Sequence, residues 1–192
     1  MNVVVLASGT GSLTKALIES QMDGRLHDTT IVAVGTDRLA PVLDIARSAG
    51  VPTFTVKPGD YPTRADWDEA LANEVSKFHP DLVVSAGFMR LLGAAFLDRF
   101  GAVTINTHPA LLPAFPGAHA VRDALAAGVA QTGCTVHRVT AEMDAGPVLA
   151  QTPVLVISGD DEASLHERIK TVEREQLVTV VNAIADGTIV LS

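Results

Sequence analysis

Short apolar runs alternate with amphipathic segments through the first half of the chain. The apolar runs predict buried strands, because each is only a few residues long and is bounded by polar or turn-forming residues. These predicted strands are Val3–Ala7, Ile31–Val34, Thr53–Val56, Leu82–Ser85 and Val103–Ile105. The segments between them have apolar residues at helical spacing and predict the helices Ser12–Glu19, Pro41–Ala49, Arg64–Phe78 and Ala94–Arg99. The alternation indicates an α/β fold with an open, mostly parallel sheet covered by helices on both faces.

The pattern changes after a proline-rich stretch in the middle of the chain. His119–Ala127 has the apolar spacing of a short helix, and two further strands are predicted at Cys134–Val139 and Val148–Val156. The short connection Met143–Pro147 between these strands favours an antiparallel pair at the C-terminal end of the sheet.

One long helix is predicted at the end of the chain, from about Glu162 to Ala185. Asp160 or Asp161 can cap its start, and the Asp186-Gly187 turn ends it. No internal repeat and no linker divides the sequence. We therefore expect residues 1–192 to form a single domain.

Two polar side chains follow the fifth predicted strand. Asn106 and His108 are two residues apart, so on an extended backbone they point to the same face. Pro109, Pro113 and Pro116 then interrupt regular structure and hold a stiff loop beside them. An amide that stabilises an oxyanion, next to an imidazolium that donates a proton, suits a reaction at a carbonyl carbon. The alternative is that these polar residues only cap the end of the strand.

A glycine-rich turn, Ser8–Ser12 (SGTGS), links the first strand to the first helix. Glycines let backbone N–H groups approach an anion, and the helix start adds partial positive charge. A dinucleotide fingerprint requires a third glycine where Thr14 stands, although Asp37 imitates its ribose-binding acid. No lysine follows Gly11, as a nucleoside triphosphate loop would require. A terminal monophosphate is the favoured ligand, and an ordinary tight turn is the alternative.

Composition and charge narrow the classes of function. The 192 residues are 47% hydrophobic and carry a formal net charge of −8, which argues against nonspecific binding of nucleic acid. No apolar run approaches the roughly 20 residues that a membrane span needs. Cys134 is the only cysteine, so no intrachain disulfide can form, and a cytoplasmic protein is expected. No cluster of His, Cys and carboxylate residues has the spacing of a metal site.

The stretch Asn106–Gly117 (NTHPALLPAFPG) resembles the Asn-x-His-(Pro/Ser)-x-Leu-Leu-Pro signature of the folate-dependent formyltransferases. Pro109 and the sequence Phe115-Pro116-Gly117 are similar to the corresponding residues in the branch of that family that acts in purine synthesis. The resemblance covers essentially the whole chain. The resemblance implies a Rossmann-like formyltransferase fold. It also implies transfer of the formyl group of 10-formyltetrahydrofolate to the amine of glycinamide ribonucleotide. Asn106, His108 and Asp144 are the implied catalytic residues, with the aspartate favouring the imidazolium form of the histidine.

The same resemblance implies two sets of binding residues. Those for the ribonucleotide are Gly9, Thr10, Gly11, Ser12, Leu13, Lys170 and Glu173. Those for the folate are Arg64, Met89, Arg90, Leu91, Leu92 and Asn106, with the two arginines near its glutamate portion. Many family members have asparagine where this chain has Leu13, which removes a side-chain contact but keeps the backbone donors. His119 and His137 are expected to be structural or to support the site.

Several alternatives remain at this point. A formyltetrahydrofolate deformylase would use water on a similar core but usually carries an N-terminal regulatory domain, which we do not expect before Met1. Methionyl-tRNA formyltransferases add a C-terminal RNA-binding domain, which we do not expect in an acidic chain ending at Ser192. A noncatalytic nucleotide-binding module would use the glycine-rich turn and Asp37. A homodimer is an option that the sequence leaves open, without an interface signature.

Overall fold

Strands and helices alternate along the chain, and their bounds follow the predicted pattern closely. The computed structural model describes residues 1–191. The strands are β1 Asn2–Ala7, β2 Thr30–Thr36, β3 Thr53–Thr55, β4 Leu82–Ser85, β5 Thr104–His108, β6 Gln131–Arg138 and β7 Val148–Leu155. The helices are α1 Ser12–Met22, α2 Val42–Ser48, α3 Arg64–Ser76, α4 Ala94–Phe100, α5 Ala120–Ala126 and α6 Glu162–Ala185, with short 3₁₀ turns at Pro58–Asp60 and Gly101–Val103.

The seven strands form one sheet in the order β3-β2-β1-β4-β5-β6-β7. Strands β1 to β5 are parallel, whereas β6 runs antiparallel to both β5 and β7. This topology confirms the predicted mostly parallel sheet and its antiparallel C-terminal pair. β6 begins at Gln131 rather than at Cys134, because its pairing with β7 continues to the partner residue Leu155.

Both faces of the sheet are buried, which explains why the central strands are continuous apolar runs. Val3 and Val5 of β1 lie in the core cluster that contains Leu177 of α6. The intervening Val4 points to the opposite face and lies in a second cluster with Trp67 of α3. Successive side chains of a strand alternate between faces, so one short strand supplies both cores.

The fifth strand is longer than its apolar residues predict. Val103 lies in the 3₁₀ turn, and β5 continues through Asn106 to His108, so these two polar residues lie within the strand instead of following it. The extension is possible because β6 pairs along the full length of β5 and supplies the backbone partners. β6 ends at Arg138, so the connection to β7 is also longer than the predicted Met143–Pro147 segment.

The last helix has the predicted bounds and a capping box at its start. Asp161 is the N-cap residue, and its carboxylate accepts a hydrogen bond from Ser164 N at 2.8 Å. Asp160 instead forms a bidentate pair with Arg168, at 2.7 and 2.8 Å. Although α6 has 24 residues, neither it nor any other helix within residues 1–191 is both long and apolar enough to cross a membrane.

Helix α4 is capped by a residue from another helix. Its N-cap, Gly93, has no side chain, and the carboxylate of Asp68 on α3 accepts hydrogen bonds from Gly93 N at 2.6 Å and Phe96 N at 2.9 Å. The carboxylate is buried and lies within 3 Å of where a Cβ at Gly93 would stand, so glycine is required there. Asp68 therefore fixes the end of the loop that leads from β4 to α4.

We predict that Asp68→Ala lowers the free energy of unfolding by about 2–4 kcal/mol, because two buried N–H groups lose their charged acceptor. Urea denaturation followed by circular dichroism measures the loss. Asp66→Ala is the matched control, because Asp66 caps α3 at the exposed surface, where such a substitution costs about 1 kcal/mol. Equal losses in the two variants would contradict the role assigned to the buried carboxylate.

Candidate active site

Loops that follow β1, β4 and β5 lie at the C-terminal edge of the parallel sheet, where open α/β sheets bind their ligands, and the β6–β7 connection folds back to contact the loop after β5. Ser8 N, directly after β1, donates to Gly87 O after β4 at 3.1 Å. Gly117 N, in the loop after β5, donates to the carboxylate of Asp144 in the β6–β7 connection at 2.8 Å. The elements that carry the predicted site residues therefore contact one another through hydrogen bonds at this edge.

Asn106 and His108 project from the same face of β5 towards Asp144. His108 is 4% exposed, and its Nδ1 lies 3.5 Å from Asp144 Oδ2. Its Nε2 lies 2.8 Å from the carbonyl oxygen of Phe115 in the proline-rich loop. Both ring nitrogens thus face oxygen acceptors, an arrangement that the doubly protonated imidazolium satisfies.

His137 joins the same cluster from the neighbouring strand. It is the residue directly opposite Asn106 in the β5–β6 register. The Asn106 side-chain amide lies 3.1 Å from His137 Nε2, and that nitrogen is 3.6 Å from Asp144 Oδ1. The other ring nitrogen, Nδ1, lies 3.0 Å from the Arg138 carbonyl. The sequence predicts only a structural or supporting role for His137. Its place beside Asn106 depends on the antiparallel register of β5 and β6, which the spacing of apolar residues does not reveal.

Asp144 is held in its charged form by its neighbours. The His137 imidazole, the Gly117 N–H and the charge of His108 together lower the pKa of the Asp144 carboxyl below its ordinary value, although partial burial opposes them. The carboxylate is therefore ionised at neutral pH. A charged carboxylate between two imidazoles stabilises positive charge on either ring.

The backbone around Asp144 is fixed by close packing. Asp144 itself has a left-handed backbone, with φ of 53°. A Cβ at Gly146 would lie 1.7 Å from the Arg138 carbonyl oxygen, so the connection can pass β6 only with glycine at this position. The Asp-Ala-Gly sequence is thus a turn, as its composition indicates, and the turn delivers the carboxylate to His108.

The proline-rich loop after His108 is tied to the antiparallel strands. Thr135 Oγ1 on β6 donates to Ala110 O at 2.6 Å and accepts from Leu112 N at 3.1 Å. Gln151 on β7 donates to Leu112 O at 2.7 Å. These bonds hold the start of the loop in place, and the loop brings Phe115 O to His108.

The glycine-rich turn presents backbone groups rather than side chains. Gly11 has φ of 78°, and a Cβ there would lie 2.3 Å from Val42, so no other residue fits without displacement. Gly9 and Thr10 are exposed, Ser12 is half-buried, and no side chain caps the first turn of α1. The N–H groups of that turn and the helix dipole form a surface suited to an anion.

Leu13 contributes only its backbone to this surface. Its side chain is 7% exposed and lies in the core cluster with Leu17. An apolar side chain at this position gains more from burial than from facing a polar ligand. Any contact of Leu13 with a ribonucleotide must therefore come from the main chain.

The loop between β4 and α4 exposes apolar side chains at the edge of the site. Met89 is 66% and Leu91 59% exposed, whereas Leu92 is buried in the core. Arg64, at the start of α3, donates to Leu91 O and lies 4.4 Å above the Trp67 ring. The loop thus combines an apolar surface with a cation at its rim, as binding of a flat ring with an anionic tail requires.

Arg90, from the same loop, turns away from Arg64 and contacts Asp37. Its Nε donates to Asp37 Oδ2 at 2.9 Å, and Arg38 Nη2 donates to the same oxygen at 2.7 Å. The Asp37 side chain has no exposed surface. A carboxylate already engaged by two guanidinium groups is poorly placed to bind a dinucleotide ribose, so the geometry disfavours the nucleotide-binding module.

The two predicted residues on α6 lie apart from the Asn106–His108 cluster. Lys170 pairs with Glu167 at 2.7 Å on the helix surface. Glu173 is 4% exposed, and burial raises the pKa of its carboxyl, which a hydrogen bond from Thr107 opposes. Thr107 is on the face of β5 opposite to Asn106.

Within residues 1–191 no group of three or more His, Cys, Asp or Glu side chains is arranged to hold a metal ion.

Comparisons with known proteins identify the family. The formyl transferase family matches residues 1–181. The chain is 56% identical over 183 residues to phosphoribosylglycinamide formyltransferase of Mycobacterium tuberculosis, covering 95% of this chain and 84% of the relative. It is 38% identical to the Escherichia coli enzyme of the same name, covering 97% and 88%. Glycinamide ribonucleotide transformylase 1 from Symbiobacterium toebii superimposes with a TM-score of 0.97 at 39% identity, covering 100% and 91%. The chain belongs to the formyl transferase family.

Proposed function

We propose that this protein transfers the formyl group of 10-formyltetrahydrofolate to the amine of glycinamide ribonucleotide, giving formylglycinamide ribonucleotide and tetrahydrofolate. The observation that carries the proposal is the cluster of Asn106, His108 and Asp144 at the edge of the sheet. It occurs in a chain whose relatives at 56% and 38% identity are phosphoribosylglycinamide formyltransferases. The function belongs to purine biosynthesis.

The proposed chemistry follows from the charges of the cluster. The formyl folate supplies an activated carbonyl carbon, and attack by the amine builds negative charge on the formyl oxygen. Asn106 donates its amide N–H to that oxygen. His108, whose Nδ1 faces the Asp144 carboxylate, donates a proton towards the oxyanion or the departing folate nitrogen, and the attacking amine gives up a proton in exchange.

The geometry of His108 identifies which ring nitrogen serves the substrate. Nδ1 faces Asp144 inside the protein, so Nε2 is the donor that turns to the reacting atoms. Nε2 donates to Phe115 O at 2.8 Å, and a substrate that accepts from Nε2 must replace this acceptor. The Phe115 carbonyl thus satisfies the Nε2–H until substrate takes its place.

The remaining predicted residues are proposed to bind the two substrates. The backbone of Gly9, Thr10, Gly11, Ser12 and Leu13 holds the phosphate, and Lys170 and Glu173 approach the ribose and glycinamide portion. Met89 and Leu91 contact the pterin through their exposed side chains, and Leu92 supports this loop from the core. Arg64 lies near the glutamate tail, and Arg90, whose Nε is held by Asp37, directs its exposed N–H groups to the same tail. This arrangement fixes the amine next to the formyl carbon, so binding energy from the phosphate serves orientation. Residues 1–192 are proposed to act as one formyltransferase domain in the cytoplasm, and the homodimer stays a prediction.

A sequential assay tests the proposed reaction. The enzyme is first mixed with 10-formyltetrahydrofolate, and glycinamide ribonucleotide is then added while folate absorbance and formylated product are followed. We expect turnover only after the second addition, because the amine is the nucleophile. Loss of the formyl group before the second addition would instead support a deformylase. Tight dinucleotide binding without turnover would support the nucleotide-binding module.

We predict that Asn106→Ala and His108→Ala each raise the barrier by about 3 kcal/mol, which is roughly a hundredfold in kcat. Each variant loses a donor that stabilises charge in the transition state. Steady-state kinetics measures the effect, with circular dichroism as a check on folding. Asn73→Ala and His27→Ala are matched controls, because both side chains are exposed and remote from the sheet edge. Near-normal turnover in either folded site variant would refute the mechanism.

We predict that Asp144→Asn lowers kcat about a hundredfold near neutral pH, because the variant loses the carboxylate that stabilises positive charge on the imidazole, and that this factor becomes smaller as the pH falls. Because the pKa of Asp144 is lowered in the folded protein, its charged carboxylate stabilises the folded state. The difference in unfolding free energy between wild type and Asp144→Asn is constant above the ordinary carboxyl pKa of 3.8 and shrinks as the pH falls below it. A factor that stays the same from pH 5 to pH 8, or near-normal turnover of the folded variant at neutral pH, would contradict this assignment.

A further inference from the structure

Asp37 is a buried carboxylate that the proposed reaction does not use. It lies directly after β2, and its side chain has no exposed surface. Arg38 and Arg90 donate to it at 2.7 and 2.9 Å, and the neighbouring Ser8 hydroxyl helps to lower its pKa. Its partners come from three separate parts of the chain, so its role is not to stabilise a single local turn.

The contacts of Asp37 join the two loops that are proposed to bind the two substrates. Ser8 immediately precedes the glycine-rich turn, and Arg90 lies in the loop after β4. Met89 N donates to Ser8 Oγ at 2.9 Å, and Ser8 N donates to Gly87 O at 3.1 Å. Because the Ser8 hydroxyl accepts from Met89, its own hydrogen is free to point to Asp37. Hydrogen bonds therefore join Ser8 to the β4 loop, and Arg90 joins the same loop to the Asp37 carboxylate.

The sheet order explains why this junction forms. Strands β2, β1 and β4 are consecutive in the sheet. Asp37 follows the last residue of β2, Ser8 follows the last residue of β1, and Arg90 lies in the loop after β4. The carboxyl ends of parallel strands lie at one edge, so the three residues form a row across it.

The carboxylate is charged and strongly held. Burial alone would raise the pKa of Asp37, but the hydrogen bonds from Arg38, Ser8 and Arg90 outweigh burial and lower the pKa to about 2. Removing the charge would leave Arg90 without this partner, and would leave the Ser8 hydroxyl with a weaker acceptor. Loss of one partner from a buried charged cluster is costly, because the others stay desolvated.

We propose that Asp37 is a positioning residue that holds the glycine-rich turn and the β4 loop in one fixed arrangement, so that both substrate sites exist before either substrate binds. The proposal rests on the proposed function, because it takes those loops as the phosphate and folate sites. Without the clamp, the first substrate must order both loops, and the second then binds to loops that are already ordered. The loss therefore affects both substrates and creates coupling between them, while the catalytic cluster on β5 is untouched.

The test is Asp37→Asn in the full chain. We expect KM for glycinamide ribonucleotide and for 10-formyltetrahydrofolate, each measured with the other substrate well below saturation, to rise together by about tenfold or more, with kcat at saturation of both within about twofold of wild type. Trp67, the only tryptophan, stacks on Phe88 of the β4 loop and reports folate binding by its fluorescence. In the variant, the ribonucleotide should tighten folate binding by a larger factor than in wild type.

Controls separate this role from a general loss of structure. Asp44→Asn removes an exposed acid of α2 that pairs with Arg47 of the same helix, and we expect wild-type kinetics. Asp37→Glu should restore part of the lost affinity because it keeps the charge. Should Asp37→Asn fail to fold, Ser8→Ala breaks the hydroxyl link and is expected to raise both KM values by a smaller factor.

The outcomes are distinguishable. A rise in only one KM, or a fall in kcat with both KM values unchanged, would overturn the clamp while leaving the formyl transfer intact. Absence of turnover in the wild type would overturn the proposed function. In that case Trp67 fluorescence is used to titrate 10-formyltetrahydrofolate with and without inorganic phosphate, which probes the glycine-rich turn. A different effect of phosphate on folate affinity in wild type and in Asp37→Asn would show that Asp37 couples the two loops, and an equal effect would overturn the clamp.

Discussion

The antiparallel pairing of β6 with β5 is the constraint on which the site depends. A purely parallel sheet would leave His108 at the end of a short strand, with no neighbour to its open side. The pairing extends β5 to His108 and sets Asn106 opposite His137. The end of β6 at Arg138 lies opposite Ile105, near the start of β5, so the β6–β7 connection folds back along the strand and brings Asp144 to His108. The direction of strand β6 thus determines which polar side chains contact one another.

Two carboxylates near the sheet edge have different proposed roles. Asp144 lies between the His108 and His137 rings and keeps positive charge available beside the amide of Asn106. Asp37 is fully buried and engages two guanidinium groups that belong to separate segments. The first carboxylate tunes a group that reacts, and the second organises loops that bind. Both are ionised because their donors outweigh the cost of burial, which is the condition for a buried charge to persist.

The sequence allows the fold and part of the site to be predicted, because those features depend on local spacing. Alternating apolar runs predict the parallel sheet, and the two-residue spacing of Asn106 and His108 predicts their shared face. The position of His137 depends on the register of two strands that are distant in sequence, so spacing alone cannot reveal it. The contact of Arg90 with Asp37 likewise depends on strand order. Leu13 shows a third limit, since a residue in a binding loop can still direct its side chain into the core.

In an acidic chain that binds anionic substrates, the electrostatic potential at the binding site must be more positive than the net charge of the protein alone would give. The formal charge of −8 repels anions at long range, but salt screens that repulsion beyond about 8–10 Å. At the sheet edge, the glycine-rich turn offers neutral N–H groups and a helix dipole, which attract phosphate without any added cation. Arg38 and Arg90 share the single carboxylate of Asp37, so that cluster keeps one net positive charge beside the turn. Pairing two cations with one buried anion therefore holds the guanidinium groups in place without neutralising the field that the substrates require.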